Sequence, residues 1–592
     1  MNVKQDYEEL LFSYQTREAQ LVRQQKKLFL WRLFSFAALV GWLIGLLPNH
    51  LPAALSGATV LLIVFAFCIK RNLRTNRERN FIQKLIRINQ NELKALNGDF
   101  RPFQNGEEFQ DSEHPYSYDL DFFTEGGLFQ FLNRTATLPG KKKLAHWLSH
   151  PLTQKEQIHK RQEALLELEP LTTWRQKFQA AGNNHEEEDL HLIEKLSDPG
   201  CSKIKKIKKL IYLLTGISSL AFILLLAGII PWGIFLLFPL INLILLLPHV
   251  AFVNATYSLC SRQTSLWESY RERFKQIEGQ SFQSEELQNL TTTFKTTTFK
   301  ASRAVEKLRR INSRFDQRSN IAFLFIADPL FLWDLHCILQ LTQWVEQYRH
   351  NLFSWLEALS TIDALNSLAN MGHNHQGWCI PQLSGETFKL STKQMGHPLI
   401  PREKRIYNSL DMNNQGKILL ITGANMSGKS TFLRTIGVNM ILTMNGCRVC
   451  ADSLELSPLP LYTNMRTTDN LHKEESYFFA ELKRLRQMLL LLRSGQPHFL
   501  IIDEMLKGTN SKDKLTGSQA LVRQLVTLKA NGLIATHDLQ LTDMSNDYPD
   551  KIINKCFDIQ LENNHLIFDY KLKEGVTQTM NASFLMRQMG II

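Results

Sequence analysis

The segment Lys417–Thr431, KILLITGANMSGKST, sets Gly423, Gly428, Lys429 and Ser430 in the spacing G-x-x-x-x-G-K-S. That spacing suits a phosphate chain. Two glycines permit a tight loop whose backbone N–H groups converge on an anion, and the N-terminus of a following helix adds partial positive charge. Lys429 can reach β- and γ-phosphates, and the Ser430 hydroxyl can ligate Mg²⁺. The expected phosphate-binding residues are Gly423, Ala424, Asn425, Met426, Ser427, Gly428, Lys429, Ser430 and Thr431. The ligand expected there is a nucleoside triphosphate.

Two further apolar runs end in residues suited to the same chemistry. His498–Ile502 leads into Asp503 and Glu504. Asp503 can hold Mg²⁺, directly or through water, and Glu504 can orient and deprotonate an attacking water. Leu533–Thr536 leads into His537, which could sense the γ-phosphate or that water, although such a histidine read alone is as often structural. The candidate catalytic set is Glu504, His537 and Lys429. Ser430 and Asp503 are the candidate metal ligands.

These residues need a parallel sheet to hold them. From about Lys389 the pattern changes to short apolar strands alternating with helices, with strands expected at 417–422, 498–503 and 532–536. A hairpin is expected at 555–561 and 565–572, turning near Asn563 and Asn564. Upstream, 72–97 and 256–370 read as helices, and Gly98–Pro115 reads as a polar linker. The fold class is mixed: a mainly α-helical core, two transmembrane helical hairpins and a C-terminal α/β P-loop NTPase domain.

The hairpins are read from charge-free apolar runs. Leu33–Leu47 and Leu51–Ile69 are split by Pro48-Asn49-His50, and Leu210–Ile230 and Trp232–Val253 are split near Pro231. Runs of ~18–20 apolar residues match the bilayer core, the first of the four being somewhat short. A cleaved signal peptide fits poorly, because the first run starts far into the chain and a second follows at once. Arg23, Lys26, Lys27 and Arg32 precede the first hairpin, Lys70, Arg71, Arg74, Arg77 and Arg79 follow it, and Lys203, Lys205, Lys206, Lys208 and Lys209 precede the second. Both hairpins are then expected to start and finish in the cytoplasm of a cell with the chain multi-pass in its inner membrane. Buried helices of a large soluble core are the competing reading. Ile321–Leu339 is also apolar but carries Asp328, Asp334 and His336, and is read as a buried cytoplasmic helix.

Composition sets looser bounds. The 592 residues carry a net charge of +12, compatible with nucleic acid or an anionic membrane surface. The eight cysteines are scattered. Cys447 and Cys450 form a lone C-x-x-C pair without a second pair, which favours buried packing over zinc and suits a reducing cytosol.

In combination these motifs resemble one family. GANMSGKST is similar to GPNMGGKST of the MutS mismatch-repair ATPases, DEMLKGTNSKD at 503–513 to DELGRGTSTxD, and ATHDL at 535–539 to ATHxxxL. EESYFFAEL at 474–482 resembles the signature around STFxxEM, which implies that Ser476 contacts the γ-phosphate of the partner subunit's nucleotide. GHPLI at 396–400 resembles the opening of the family's ATPase domain, and 446–451 its GxxVPA-like segment with Cys450 in place of proline. Phe131–Leu152 is similar to the start of the MutS core, and LSTIDALNSLANM at 359–371 to the segment before the ATPase domain. The resemblance implies ATP and Mg²⁺ as ligands, a homodimer through the ATPase domains, DNA binding and a link to mismatch repair.

The departures shape the expected domains. Residues 1–97 hold a helix and the first hairpin instead of a mismatch-reading domain with its Phe-x-Glu wedge. Residues 98–208 are linker and first part of the core. The second hairpin, 209–254, stands about where the family inserts its DNA clamp, 255–385 completes the core, and 386–592 forms the ATPase domain. No helix-turn-helix tail is expected after NASFLMRQMGI, and Leu506 and Lys507 replace the family's loop glycine and arginine. The expectation is a membrane-anchored, MutS-type, DNA-binding ATPase with a lipid bilayer as partner. An ABC-type transport or remodelling ATPase is the alternative, although SYFFAEL stands where an LSGGQ-type signature is expected. A membrane tether with a regulatory ATPase is the third reading.

Overall fold

The computed structural model describes residues 3–46, 51–182, 204–261, 264–295, 299–466, 477–562 and 565–577. Two helices, Val3–Leu46 and Leu51–Leu96, open the chain. Pro52 falls in the first turn of the second, where a missing N–H costs nothing, and no proline or glycine interrupts Lys70–Leu96. The helices pack antiparallel: Arg17 pairs with Glu78 at 2.6 Å, Arg79 Nη1 donates to Gln25, and Phe36 meets Phe65. The first apolar hairpin is therefore the tip of a much longer one. At ~1.5 Å per residue each helix is about twice as long as a ~30 Å bilayer core is thick.

The polar base of this hairpin is locked to the core by buried hydrogen bonds. Arg134 Nε lies 2.5 Å from Glu92 Oε1, both side chains being buried. Asn374 Nδ2 donates to Glu92 Oε2 at 3.0 Å, and Tyr7 Oη donates to Asn374 Oδ1 at 2.7 Å. Asn89 and Gln176 exchange side-chain hydrogen bonds nearby.

Lys208–Leu226 forms the first limb of the second apolar hairpin. The other limb, expected as one run over 232–253, is interrupted. It comprises Trp232–Phe235, Leu237–Leu246, a 3₁₀ turn at Leu247–His249 and Val250–Cys260. Pro248 lies in that turn, where it removes a helical donor. Among the described residues four helices are long and apolar enough to cross a membrane, by length and composition.

The reading of Ile321–Leu339 as one buried helix is corrected. Pro329 and a left-handed Leu332 (φ 49°) divide it into Ile321–Phe331 and Trp333–Asn374, which meet at a 79° bend. Leu335, Ile338 and Leu339 are buried as expected, whereas Ile321, Phe325 and Ile326 are exposed. Gly98–Pro115 also differs from a free linker. It has little regular structure beyond the turn Glu107–Phe109, yet Phe100 and Phe109 pack on the core and the Arg134 guanidinium stacks 3.5 Å from the Phe103 ring centroid.

Trp333–Asn374 is the spine of the core. Near its end Asp363 accepts hydrogen bonds from the backbone N–H groups of Ala136 and Thr137 and from the Thr137 hydroxyl, and Ser367 Oγ accepts from Arg134 N at 2.7 Å. Thr137 in turn caps the helix Leu138–Ser149. The two core segments that carry the family resemblance, 131–152 and 359–371, thus meet directly, more than two hundred residues apart in sequence. Burial pushes the Asp363 carboxyl up to about 6 against these donors and the Arg273 charge.

The described C-terminal strands form two sheets. One has the order β1 (Gln382–Leu383), β5 (Ser453–Leu456), β2 (Lys389–Met395), β3 (Asn408–Asn413). The other runs β10 (His565–Glu574), β9 (Ile552–Glu562), β4 (Ile418–Gly423), β8 (Asn531–Thr536), β7 (Phe499–Asp503), β6 (Leu461–Asn464). All of its pairings are parallel except β9 with β10. The expected strands are found, although β9 begins earlier, at Ile552, and Asn563 and Asn564 lie outside the described residues. Asp119 covers the β6 edge by accepting from Thr463 Oγ1, Met465 N, Arg466 N and Arg484 Nη2.

Glu92→Ala would leave Arg134 buried without its counter-charge. It should destabilise the protein by about 3–5 kcal/mol, read as a lower urea midpoint, and the double variant with Arg134→Met should recover part of the loss.

Candidate nucleotide site

β4 is buried along its whole length, and its Thr422 pairs in register with Thr536 of β8. On the other side of β8, Asp503 at the end of β7 pairs with Ala535. Three adjacent parallel strands therefore end together, delivering Gly423, His537 and Asp503-Glu504 to one edge of the sheet. Ligands of open parallel sheets collect at such carboxyl ends.

The loop after β4 depends on its glycines. A Cβ at Gly423 would lie 2.7 Å from the Phe557 carbonyl oxygen and 2.8 Å from Ser427 Oγ. Gly428 (φ 101°) is the N-cap of the helix Lys429–Met444, a backbone angle that favours glycine. Met426 is also left-handed (φ 65°) and exposed at the apex. Lys429 Nζ donates to the carbonyls of Gly423 (2.8 Å) and Ala424 (2.9 Å), so the ammonium lies inside the loop's curve. Ser427 Oγ is buried in the same curve without a hydrogen-bond partner among the described residues. That orphaned hydroxyl fits a loop built to meet a further polar ligand.

Glu504 faces this loop. Its Oε1 lies 2.9 Å from His537 Nε2, and its Oε2 is 3.8 Å from Lys507 Nζ. The hydrogen bond from His537, with the charges of His537 and Lys507, holds the Glu504 carboxyl at about 2 in spite of burial. His537 thus acts through Glu504, a role its strand-end position alone did not indicate. Glu504 (φ 55°) and Leu506 (φ 55°) are both left-handed, a conformation that costs a side-chain-bearing residue ~1–2 kcal/mol.

The strained turn is held from behind by Glu481, whose carboxylate accepts from Leu506 N at 2.5 Å and Lys507 N at 3.1 Å. Burial raises the Glu481 carboxyl. This residue was not singled out from the sequence. Its signal was the last glutamate of the EESYFFAEL motif at 474–482, one residue before the motif's end.

Asn425, Met426, Ser427, Gly428, Lys429, Ser430 and Thr431 line one cleft of about 570 Å³ with Asp503, Glu504, Lys507 and His537. Its other wall includes the apolar side chains of Ile400, Ile406, Phe557 and Tyr570, suited to a flat base. Ala424 contributes its carbonyl to Lys429. Ser476 lies outside the described residues. Ser430 and Asp503 offer hard oxygen donors, the kind Mg²⁺ prefers. Cys447 and Cys450 are buried in packing, away from this cleft.

Burial lowers the Lys429 ammonium to about 8, against the opposing pull of Asp503 and Glu504. A phosphate beside it would raise that value, so binding above pH 8 must take up a proton. Nucleotide affinity should therefore fall as pH rises past 8, by up to about tenfold per unit, in titrations with a fluorescent nucleotide. Lys429→Met should abolish this pH dependence along with most of the affinity.

Two family descriptions match the chain: MutS domain III over residues 108–369 and MutS domain V over residues 419–587. The DNA mismatch repair protein MutS of Thermotoga maritima is 30% identical over 235 residues, covering 39% of this chain and 29% of that protein. The protein of the same name from Thermotoga petrophila is 29% identical over 235 residues, with the same coverage. MutS protein homolog 4 of Homo sapiens is 29% identical over 248 residues, covering 40% of this chain and 26% of its own length. The chain therefore spans under a third of the length of these curated relatives. With both domain matches in chain order and Lys429, Ser430, Asp503, Glu504 and His537 of the cleft all inside the second, the chain belongs to the MutS family.

Proposed function

We propose that this chain is a Mg²⁺-dependent ATPase, anchored in a membrane, whose nucleotide cycle is coupled to binding DNA. The observation that carries the ATPase reading is the convergence of Lys429, Ser430, Asp503, Glu504 and His537 on one cleft. Lys429 binds the β- and γ-phosphates, while the loop N–H groups and the Lys429–Met444 helix N-terminus complete the cradle. Ser430 and Asp503 would hold Mg²⁺, which when bound neutralises charge on the phosphate oxygens. Glu504, kept ionised and fixed by His537, takes a proton from water as the water oxygen bonds to the γ-phosphorus. The β–γ bridging bond breaks, releasing ADP and inorganic phosphate. Coupling to a second subunit through Ser476 and the ATPase domains follows the family pattern.

The membrane reading is supported by the four apolar helices and the lysines and arginines that flank them, which favour a cytoplasmic nucleotide domain at the inner membrane. The DNA reading is supported by family membership and by relatives that carry the name of DNA mismatch repair proteins. Net charge of +12 is in keeping with it. The same family membership favours mismatched or branched duplex as the DNA recognised.

Glu504→Gln should keep nucleotide affinity within about threefold and lower hydrolysis by ~10²–10⁴-fold in a phosphate-release assay. Wild-type turnover in that variant would remove Glu504 as the base. For DNA, the solubilised protein should bind duplex, with branched or mismatched forms preferred, and its affinity should fall linearly in log–log plots against salt. Binding that is absent or indifferent to salt would reject DNA as the partner, and ATP-driven solute movement in vesicles would favour a transporter.

A further inference from the structure

We infer that the Ile321–Phe331 helix enters the lipid bilayer beside the second apolar hairpin and turns back without crossing it. The inference rests on the membrane reading above and names acyl chains as the partner of a segment whose acidic residues argued for burial in the cytoplasm.

The exposed face is apolar and continuous with that hairpin. Ile321, Phe325 and Ile326 are 69%, 75% and 60% exposed, and the helix packs against Leu237–Leu246, which itself exposes Leu240 and Ile244. Scattered exposed apolar residues are ordinary, but a joined surface of this kind marks a contact with something apolar.

Hydrogen bonds at its two ends give the depth. Just before the helix, Arg318 Nη2 donates to Asn254 Oδ1 at 2.5 Å and its guanidinium stands over the Tyr257 ring. At the far end, Asn242 Nδ2 donates to the carbonyls of Pro329 (2.7 Å) and Leu330 (3.3 Å). The helix therefore runs alongside the second limb from the level of Asn254 to that of Asn242. Its 11 residues extend ~16 Å, about half of a ~30 Å hydrocarbon core. It can enter but not span.

The backbone at the break is treated as lipid requires. Pro329 and the left-handed Leu332 interrupt the helical ladder and release carbonyl groups. In water those groups need no protein partner; in hydrocarbon an unpaired one is strongly destabilising. Asn242, fully buried among apolar helices, gives one N–H to Ser218 Oγ and shares the other between the Pro329 and Leu330 carbonyls, and Thr215 Oγ1 approaches the Phe331 carbonyl at 3.4 Å. The carboxylates turn inward. Asp328 accepts the Asp334 N–H at 2.9 Å, and Asp334 pairs with Arg318 at 2.7 Å. Acidic residues paired in this way are compatible with a position at the membrane.

The test uses the full-length protein in phospholipid nanodiscs with the photoreactive residue benzoylphenylalanine replacing Phe325, Leu240 or Phe353, one at a time. All three side chains are exposed, so folding should survive. After illumination, phospholipid adducts at 325 should match those at 240 and exceed those at 353 by roughly tenfold, because only the first two sites meet acyl chains. Adducts at 240 but not at 325 would overturn this inference and leave the membrane reading standing. Adducts at neither would overturn both. Cross-linking of position 325 to a second copy of the chain in place of lipid would replace the bilayer with a protein partner.

Discussion

The Glu92 carboxylate is where this protein is held together. It comes from the first helical hairpin and lies buried between Arg134, at the start of the core, and Asn374, at the end of the helix Trp333–Asn374. Tyr7, from the other limb of the hairpin, completes the knot through Asn374. Four segments from distant parts of the sequence share these few polar atoms. An ionised group in so dry a place is tolerable only when every partner is present, so the geometry is all-or-none. Hairpin, core and spine are thus joined at one buried cluster.

That cluster is one part of a connection between the two ends of the molecule. The spine starts at the bend beside the second apolar hairpin and ends next to Asp363, Ser367 and Asn374, which grip the first core motif and the first hairpin. Glu169, at the end of a core helix, pairs with Arg448 just beyond the Lys429–Met444 helix. Arg161 stacks on Trp147 and donates to Asn445 at that helix's C-terminus. The helix that carries Lys429 at one end thus meets the core at the other. The contacts therefore run without a break from the candidate cleft through the core to the spine, whose start lies at the 79° bend beside the second apolar hairpin.

Much of the nucleotide site was legible because its chemistry is local. A glycine loop between a buried strand and a helix announces itself in consecutive residues, whereas the apolar run before Asp503-Glu504 is weak alone and gains its meaning from following that loop. Leu506 was legible as a departure, and its left-handed backbone explains why glycine would suit the position. Glu481 was not singled out, because its role is to receive two N–H groups of a loop more than twenty residues away. His537 was recognised as a candidate, but that it restrains Glu504 depends on β8 lying between β4 and β7. Gly98–Pro115 has the irregular backbone expected of it, but its packing on the core escaped for a related reason. Polarity without period indicates irregular backbone, and says nothing about whether Phe100, Phe103 and Phe109 find a surface to pack on.

The sequence by itself determined the strands and glycine loop of the candidate nucleotide cleft, the four charge-free apolar runs and the resemblance to MutS. Each of these is written in neighbouring residues through periodicity, backbone permissiveness or motif spacing. Tertiary structure alone decided which polar groups would be buried together. It placed Glu92 against Arg134, turned Asp328 and Asp334 inward so that Ile321–Phe331 could present an apolar face, and set His537 on Glu504. A charge is affordable in a dry interior only beside its partner, and which residue becomes the partner is fixed by packing between segments far apart in the chain.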